Sequence, residues 1–378
     1  MTDATSSRLA LCAGNQLIAW GALAAGCDFF SGYPITPASE IYAEMMRTLP
    51  ARGGVAVGAP DEISALSYAV GASLSGARSM TATSGPGWSL MIETFQYAVM
   101  TETPVVVVVS QRLGPATGGA TQGAQGDVFL VAYATSGGYP VPVLAPVDAL
   151  DAYTVTADAF RIAEQLRTPV VVLADKEISK TVDTVDLAAL PDVHVEPRRP
   201  AAPDRPFVPY GIEQLDDVPA FAPVGGPHTV TVTGSAHDAE GRLKKNDPET
   251  LRQLRHLEAK VLARADQLER VRWKRQEGAR TLLVSFGISA RACRAAVETL
   301  ARRGEPTDLL EVLSLYPVPA RALREAAAGK ERVIVVEENG PGLYAKEVRG
   351  VVSGVQVRQV NDVGAMIAPT AIEQAVMS

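Results

Sequence analysis

The sequence predicts an α/β protein, with a doubly wound parallel sheet in its first half and a smaller α/β domain at its end. Three observations support this prediction. The valine run from Val105 to Val109 has the length and composition of a central strand that is buried on both faces. Apolar helical segments alternate with several such strand-like runs. Ala, Gly and Val are abundant whereas aromatic residues make up only 6% of the chain, which favours closely packed α/β layers over a β-sandwich.

The first 186 residues alternate between helix and strand signals. Helices are indicated by Ala- and Leu-rich segments, by a closing glycine such as Gly26 and by acids such as Asp61 at an N-terminus. Strands are indicated by short β-branched runs. The expected helices span 9–26, 38–47, 61–75, 88–100 and 148–166, and the expected strands span 28–32, 55–57, 78–83, 105–110, 139–144 and 169–174.

Residues 187–277 form a connector of a different character. Its first part, to residue 247, is rich in Pro, Gly, Asp and His and shows no sustained periodicity. Asp247-Pro248-Glu249 then begins a charged amphipathic segment, with Leu or Val at mostly three- and four-residue steps, that predicts a helix to about Gln276. Two interpretations are open: an arm packed on its own domain, and an arm at a subunit interface.

Residues 278–378 predict the second α/β domain. The expected strands are 281–286, 308–313 and 333–336, and the expected helices between them are 289–302 and 319–328. A domain of about a hundred residues lies within the usual size range.

Charge and residue usage exclude several classes of function. The net charge of −7 argues against nucleic-acid binding. The chain shows no leader peptide and no apolar run of membrane-spanning length, so we expect a cytoplasmic protein without a membrane partner. Cys12, Cys27 and Cys293 lack CxxC spacing and are interpreted as buried thiols. All four histidines lie between positions 190 and 260, so neither end domain holds a histidine-based triad or metal site, and we assign no metal ligand.

Three candidate sites follow predicted strands, where ligands bind in open parallel sheets. In the first, Gly32 to Glu40, Thr36 stands between Ile35 and Pro37 at the start of a helix. It either meets a ligand or caps the helix. In the second, Asp61-Glu62, Glu62 is followed by Ile63 and an apolar helix, so its carboxylate could point inward with a raised pKa, and the alternative is that both acids complement the helix dipole from the surface.

The third candidate is Arg112, which follows the most buried strand and precedes a Gly-rich loop. An arginine there suits a carboxylate ligand, and the alternative is an ion pair that stabilises the loop. The turn Ser84-Gly85-Pro86-Gly87 allows a ligand to approach the backbone, but it lacks the GK[ST] of a phosphate-binding loop.

Three motifs, in this order, resemble the α subunit of the 2-oxoacid:ferredoxin oxidoreductases: GYPITPASE, APDEISALSYAVGASLSGARSMTATSGPGWSLMIE and TPVVVVVSQRLGPATG. The likeness extends to TVTGSAHDAEG and SLYPVPA, and so covers essentially the whole chain. The resemblance implies a thiamine pyrimidine-binding domain at residues 1–186 and a transketolase C-terminal-like domain at residues 278–378.

The resemblance also implies roles for individual residues. Glu62 matches the catalytic glutamate that binds the aminopyrimidine nitrogen of thiamine diphosphate and promotes the tautomer that takes the C2 proton. Thr36 and Arg112 match the residues that contact the 2-oxoacid carboxylate. The remaining site residues that it implies are Tyr33, Pro34 and Ile35 for substrate, and Gly85 and Gly87 for cofactor.

The family likeness implies partners as well. The chain has neither a GDG…N diphosphate–Mg²⁺ motif nor cluster cysteines, so a β subunit is expected to supply the diphosphate site, Mg²⁺ and a [4Fe-4S] cluster. A γ subunit, a ferredoxin-like δ subunit, CoA as co-substrate and a dimer of heteromers are also expected. The alternatives are a thiamine enzyme that uses no ferredoxin and a non-catalytic scaffold subunit.

The loop after Arg112 bears on the substrate. In 2-oxoglutarate members of the family it reads roughly GPSTGxPT[KR]TEQ, whereas here it reads GPATGGATQGAQGD, with Gln122 in place of the cation. A second substrate carboxylate needs a cationic partner. The loop therefore favours an aryl 2-oxoacid such as phenylglyoxylate, or a branched-chain one, and 2-oxoglutarate is the alternative.

Overall fold

The computed structural model describes residues 8–203 and 205–378. The first part of the chain alternates between strands and helices. Its elements are β1 (Leu9–Ala13), α1 (Gly14–Ala24), β2 (Phe29–Gly32), α2 (Ser39–Thr48), β3 (Val55–Gly58), α3 (Glu62–Leu74), β4 (Ser79–Thr83), α4 (Gly85–Met100), β5 (Val106–Gln111), α5 (Val128–Ala132), β6 (Val143–Leu144), α6 (Ala149–Leu166), β7 (Val170–Asp175), α7 (Lys176–Lys180) and β8 (Val182–Asp186).

The remainder of the chain forms a short helical segment and then a second alternating region. Its elements are α8 (Pro248–Leu262), α9 (Ala265–Leu268), β9 (Val271–Lys274), β10 (Thr281–Ser285), α10 (Ser289–Arg302), β11 (Thr307–Val312), β12 (Ser314–Tyr316), α11 (Ala320–Ala327), β13 (Arg332–Glu337), α12 (Leu343–Val351), β14 (Gln356–Asn361) and α13 (Pro369–Met377).

Two mostly parallel sheets organise the described residues. The larger has the strand order β12-β6-β7-β5-β4-β2-β3, and the smaller has the order β14-β13-β10-β11-β9. The central strands β4, β5 and β7 are buried along their whole length, as strands with helices on both faces must be. The predicted fold class, a doubly wound parallel sheet with a smaller α/β domain, is confirmed.

The two sheets are joined by a strand and by a shared core. β12 follows a strand of the smaller sheet in the chain, yet it pairs antiparallel with β6 at the edge of the larger sheet. Apolar residues of both sheets, including Val107 and Leu310, belong to one hydrophobic cluster. The aromatic rings of Tyr133, Tyr316 and Tyr344 pack edge to face across this junction. These contacts hold the ends of the two sheets against each other.

Three sequence-based element predictions are wrong in part. The expected helix 9–26 begins as strand β1, which pairs antiparallel with β8, about 170 residues later. The expected helix to Gln276 ends at Leu262, and Val271–Lys274 instead forms an edge strand against β11. The expected strand 139–144 shrinks to Val143–Leu144. Strand pairing with distant segments overrides local helix propensity in the first two cases.

The described residues of the connector between 190 and 247 form no helix or strand, and buried charges anchor the connector on the larger sheet's helices. Arg198 donates to the Glu164 carboxylate with two nitrogens, at 2.8 and 3.1 Å. From α8, His256 Nε2 and Lys260 Nζ contact Glu102 Oε2 at 3.0 and 2.6 Å. We call Glu102, His256 and Lys260 the connector cluster. The charged arm therefore packs on its own chain.

Candidate active site

The predicted site residues lie at the carboxyl ends of four neighbouring strands. In the larger sheet, β5, β4, β2 and β3 are adjacent in that order and run parallel. Arg112 follows β5, Ser84 and Gly85 follow β4, and Tyr33 follows β2. Glu62 opens α3 a few residues after β3. A single edge of the sheet therefore presents all the candidate groups.

Arg112 is a buried cation without a carboxylate partner among the described residues. Only 6% of it is exposed. Its Nη1 donates to the backbone oxygen of Thr36 at 2.6 Å and its Nη2 donates to that of Thr117 at 3.2 Å, whereas its buried Nε has no partner. The bonds to two carbonyl groups fix the guanidinium between the Thr36 segment and the Gly-rich loop. A buried charge of this kind favours an anionic ligand.

Glu62 is the first residue of α3, and Asp61 caps this helix by accepting a hydrogen bond from the Ser64 amide at 2.7 Å. Glu62 is only 8% exposed, and its carboxylate accepts no hydrogen bond within the described part of the chain. It lies against Gly87: a Cβ placed on Gly87 would stand 2.6 Å from Glu62 Cγ and 2.8 Å from its Oε1. Glycine at position 87 is therefore required for the carboxylate to occupy this place.

Asp127 approaches the same helical turn at Gly85. A Cβ on Gly85 would lie 2.7 Å from Asp127 Oδ2, and this buried oxygen has no hydrogen-bond partner. The Asp127 amide donates to Gln111 Oε1 at 3.3 Å, which holds the residue beside the end of β5. Burial raises the pKa of Asp127 to about 6, although the charge of Arg112 opposes the shift.

The smaller sheet closes one side of the site through Gln125. Its Nε2 donates to Asp175 Oδ2 at 3.0 Å, and its Oε1 accepts from the Glu338 amide at 2.7 Å. Asn339 Nδ2 donates to the Gln125 carbonyl at 3.0 Å. Burial raises the pKa of Asp175 to about 7, and burial together with the charge of Asp175 raises the pKa of Glu338 to about 8. The interface is thus built on amides and weakly acidic carboxyl groups.

A cavity of about 500 Å³ lies between these groups. Its lining comes from the start of α4, from the loop after β5, from the segment before and within α5, and from the loop after β13. The charged residues that line it are Arg112, Asp127 and Glu338, and most of the other lining residues are apolar or glycine. The cavity therefore suits a ligand with one anionic group and an apolar body.

The remaining predicted residues lie at the rim of the site. Tyr33 is 39% exposed, Pro34 and Thr36 are exposed, and Ile35 is half-buried. Only the Thr36 carbonyl contacts Arg112 in this structure. Ile63 on α3 and Leu90 on α4 are also exposed large apolar side chains. The face around Glu62 is therefore apolar as well as accessible.

Sequence reasoning missed Asp127, Gln125 and Glu338. Asp127 stands at the end of the run GPATGGATQGAQGD, and the only signal was an acid directly after a Gly-rich loop. Gln125 and Glu338 act across the junction of the two sheets, more than 200 residues apart in the chain. No spacing rule reveals such a contact.

Comparisons with known proteins agree with this geometry. Residues 20–255 match the family model described as the thiamine diphosphate-binding domain of pyruvate flavodoxin/ferredoxin oxidoreductase, and residues 279–369 match core domain II of pyruvate:ferredoxin oxidoreductase. The 2-oxoglutarate synthase subunit KorA of Methanothermobacter thermautotrophicus is 38% identical over 346 residues, which are 90% of each chain. The ketoisovalerate oxidoreductase subunit VorB of the same organism is 34% identical and covers 93% of this chain and 92% of its own.

A solved structure is similar over nearly the whole chain. It is the 2-oxoglutarate:ferredoxin oxidoreductase of Magnetococcus marinus with 2-oxoglutarate, coenzyme A and succinyl-CoA bound, with a TM-score of 0.91 and 29% identity. The match covers 98% of this chain and 65% of that longer one. Among the described residues, no helix is both long and apolar enough to span a bilayer. The chain belongs to the pyruvate flavodoxin/ferredoxin oxidoreductase family, among the α-type subunits of 2-oxoacid:ferredoxin oxidoreductases.

Proposed function

We propose that this chain is the α subunit of a CoA-acylating 2-oxoacid:ferredoxin oxidoreductase, which converts a 2-oxoacid to an acyl-CoA and CO₂. The electrons pass to iron–sulfur clusters of partner chains. The observation that carries the proposal is the buried, unpaired guanidinium of Arg112 beside a cavity of about 500 Å³. Its ligand is the substrate carboxylate, and the Thr36 segment orients the guanidinium toward it.

Glu62 is proposed as the residue that holds the cofactor's aminopyrimidine. Its carboxylate has no hydrogen-bond partner within the described residues, and it lies against Gly87, where no side chain stands between it and the backbone of α4. A heterocycle whose ring nitrogen contacts this carboxylate suits the position, and the backbone at Gly85 and Gly87 lets the cofactor approach closely. Thiamine diphosphate supplies the carbon chemistry when it is bound, and Glu62 exchanges a proton with the ring nitrogen.

The remaining machinery is assigned to partner chains. A β subunit is proposed to supply the diphosphate and Mg²⁺ site and a [4Fe-4S] cluster, and it would cover the exposed Tyr33, Ile63 and Leu90 around Glu62. A γ subunit, a ferredoxin-like δ subunit and a dimer of heteromers complete the proposal. CoA is the co-substrate, and the cytoplasm is the proposed location.

The cavity favours a 2-oxo monocarboxylate with an aryl or branched-chain body. Arg112 is the only cation in its described lining, whereas Asp127 and Glu338 would repel a second carboxylate in their ionised forms. A second candidate is 2-oxoglutarate, because the 2-oxoglutarate synthase subunit is more similar to this chain than the ketoisovalerate subunit, at 38% against 34% identity. Initial rates with 3-methyl-2-oxobutanoate, phenylglyoxylate and 2-oxoglutarate, on the co-purified complex with CoA and a viologen dye, distinguish the two.

The role of Glu62 is tested with Glu62→Gln in the co-purified complex. We expect CoA- and 2-oxoacid-dependent dye reduction to fall by about 10²- to 10⁴-fold, because an amide cannot exchange the proton. Asp61→Asn is the matched control, since it also removes one carboxylate and Asn caps a helix as well as Asp does. Wild-type turnover in Glu62→Gln would refute the assigned role and favour a scaffold subunit. Turnover without iron–sulfur absorption in the complex would favour a thiamine enzyme that uses no ferredoxin.

A further inference from the structure

The cavity beside α4 brings one cation and two carboxyl groups together. Arg112 comes from the end of β5, Asp127 from the segment before α5, and Glu338 from the loop after β13. The first turn of α4, Gly85 to Ser89, has no charged residue. Glu62 contacts this turn at Gly87 but does not line the cavity. Asp175, whose pKa burial raises to about 7, contacts Gln125 and acts on Glu338 through its charge. Arg112, Asp127 and Glu338 are therefore the charged groups that line the cavity among the described residues, with Glu62 and Asp175 next to it.

Two of these groups have an unused hydrogen-bonding position. Arg112 Nε and Asp127 Oδ2 are both buried and both lack a partner. They do not pair with each other, although Arg112 is near enough for its charge to oppose part of the rise in the pKa of Asp127 that burial causes. A donor and an acceptor on residues that line one cavity, and that do not pair with each other, indicate a site whose hydrogen bonds are completed by a ligand.

We infer that Asp127 is a positioning residue for the substrate: its protonated carboxyl group donates a hydrogen bond to the carboxylate that Arg112 binds, and its ionised form competes with that carboxylate for Arg112. This inference rests on the proposed function. It adds Asp127 to Arg112 as a second contact of the substrate carboxylate. Asp127 takes no part in the hydrogen bond between Arg112 and the Thr36 carbonyl.

If Asp127 has this role, substrate binding depends on the protonation of its carboxyl group. Because burial raises the pKa of Asp127 to about 6, the group is largely ionised at neutral pH in the free site. A substrate anion brought next to it then requires the uptake of one proton. The KM of the 2-oxoacid should therefore rise about tenfold for each pH unit above that pKa, whereas kcat should not follow this slope.

The experiment measures KM and kcat from about pH 5 to 7.5, where Glu338, with a pKa of about 8, stays mostly protonated. It uses the co-purified complex with saturating CoA and viologen dye. The substrate is whichever of 3-methyl-2-oxobutanoate, phenylglyoxylate and 2-oxoglutarate turns over fastest. In Asp127→Asn, which stays neutral and keeps a donor, we expect a KM that does not change with pH. In Asp127→Ala, which stays neutral without a donor, KM should also be independent of pH but higher than in Asp127→Asn.

Asp362→Asn is the matched control, because it removes an exposed carboxylate near the cavity and should keep the wild-type slope. A wild-type KM without a pH slope, or a slope retained in Asp127→Asn, would overturn the role of Asp127 alone. The wild-type slope requires no substitution, so a variant that fails to assemble leaves the test intact. Turnover of none of the three acids would overturn the proposed function, and the role of Asp127 with it.

Discussion

The connector cluster and the cavity differ in whether their buried charged side chains find partners within this chain. In the connector cluster, Glu102, His256 and Lys260 are each at most 2% exposed, and none of them leaves a buried polar atom without a partner. In the cavity, Arg112 and Asp127 each leave one such atom. The connector cluster is complete within this chain, whereas the cavity is complete only with a ligand. Buried charges that satisfy one another hold the fold together, and buried charges left open indicate a site.

The pKa values express the same contrast. Burial acts to raise the pKa of Glu102, but the charge of Lys260 and the hydrogen bond from His256 outweigh it, so this pKa lies well below its usual range. The pKa of Glu338 at the cavity is instead raised, because burial and the charge of Asp175 both favour its neutral form. One carboxylate therefore gains from ionisation in the folded chain, and the other is penalised by it.

The largest expected effect is on stability, at the connector cluster. Lys260→Ala leaves the buried Glu102 carboxylate without its ammonium partner, and we expect a loss of about 3–5 kcal/mol in the free energy of unfolding. Denaturant unfolding of the purified complex measures it. The double variant Glu102→Gln, Lys260→Met should lose less, because no uncompensated charge remains.

Arg280→Ala provides the control for Lys260→Ala. Arg280 and Glu331 form an ion pair whose side chains are 71% and 61% exposed, so its loss should cost at most about 0.5 kcal/mol. If Lys260→Ala proved no more destabilising than Arg280→Ala, the view of the connector cluster as a structural anchor would be wrong.

The next largest expected effect is on activity and concerns the contact between Gly87 and Glu62, next to the cavity. A Cβ at residue 87 would collide with Glu62 Cγ and with the Thr83 hydroxyl, so Gly87→Ala must displace the carboxylate. A displacement of about 1 Å costs roughly 10²-fold in rate when geometry limits catalysis. We expect the initial rate of dye reduction to fall by about that factor while the complex still assembles.

Gly71→Ala is the matched control for Gly87→Ala. Gly71 lies in α3 with nothing near the position of a Cβ, so alanine there should leave activity at the wild-type level and add up to about 1 kcal/mol of stability. Equal activity in both alanine variants would mean that Glu62 does not depend on the space at Gly87.

The sequence predicted the central strands and the cavity's principal cation because these depend on local signals. The Val105–Ser110 run and the position of Arg112 directly after it are recognisable without any partner. Strand β1 was missed because Leu9–Ala13 becomes a strand only by pairing with Val182–Asp186. Asp127 was missed for the same physical reason, since its significance comes from Gly85, about 40 residues earlier. Local propensity predicts elements, whereas contacts between distant segments complete both the sheet and the site.

The smallest expected effect is the pH dependence of the free energy of unfolding, whose sign differs between the cavity and the connector cluster. In the unfolded chain Glu338 ionises near its usual pKa of 4.5, whereas in the folded chain burial raises the pKa to about 8. Its contribution to stability is therefore fully present below the lower value and is lost as the pH rises through the higher one.

The substitution Glu338→Gln tests this pH dependence, because Gln cannot ionise. At about pH 8 the free energy of unfolding of the variant should exceed that of wild type by roughly 1–2 kcal/mol, and at about pH 4 the two should be equal. The exposed Glu325→Gln should show no such difference. No gain at about pH 8, or a loss of stability there, would mean that Glu338 is stable in its ionised form in the folded protein and belongs with Glu102 rather than with the cavity.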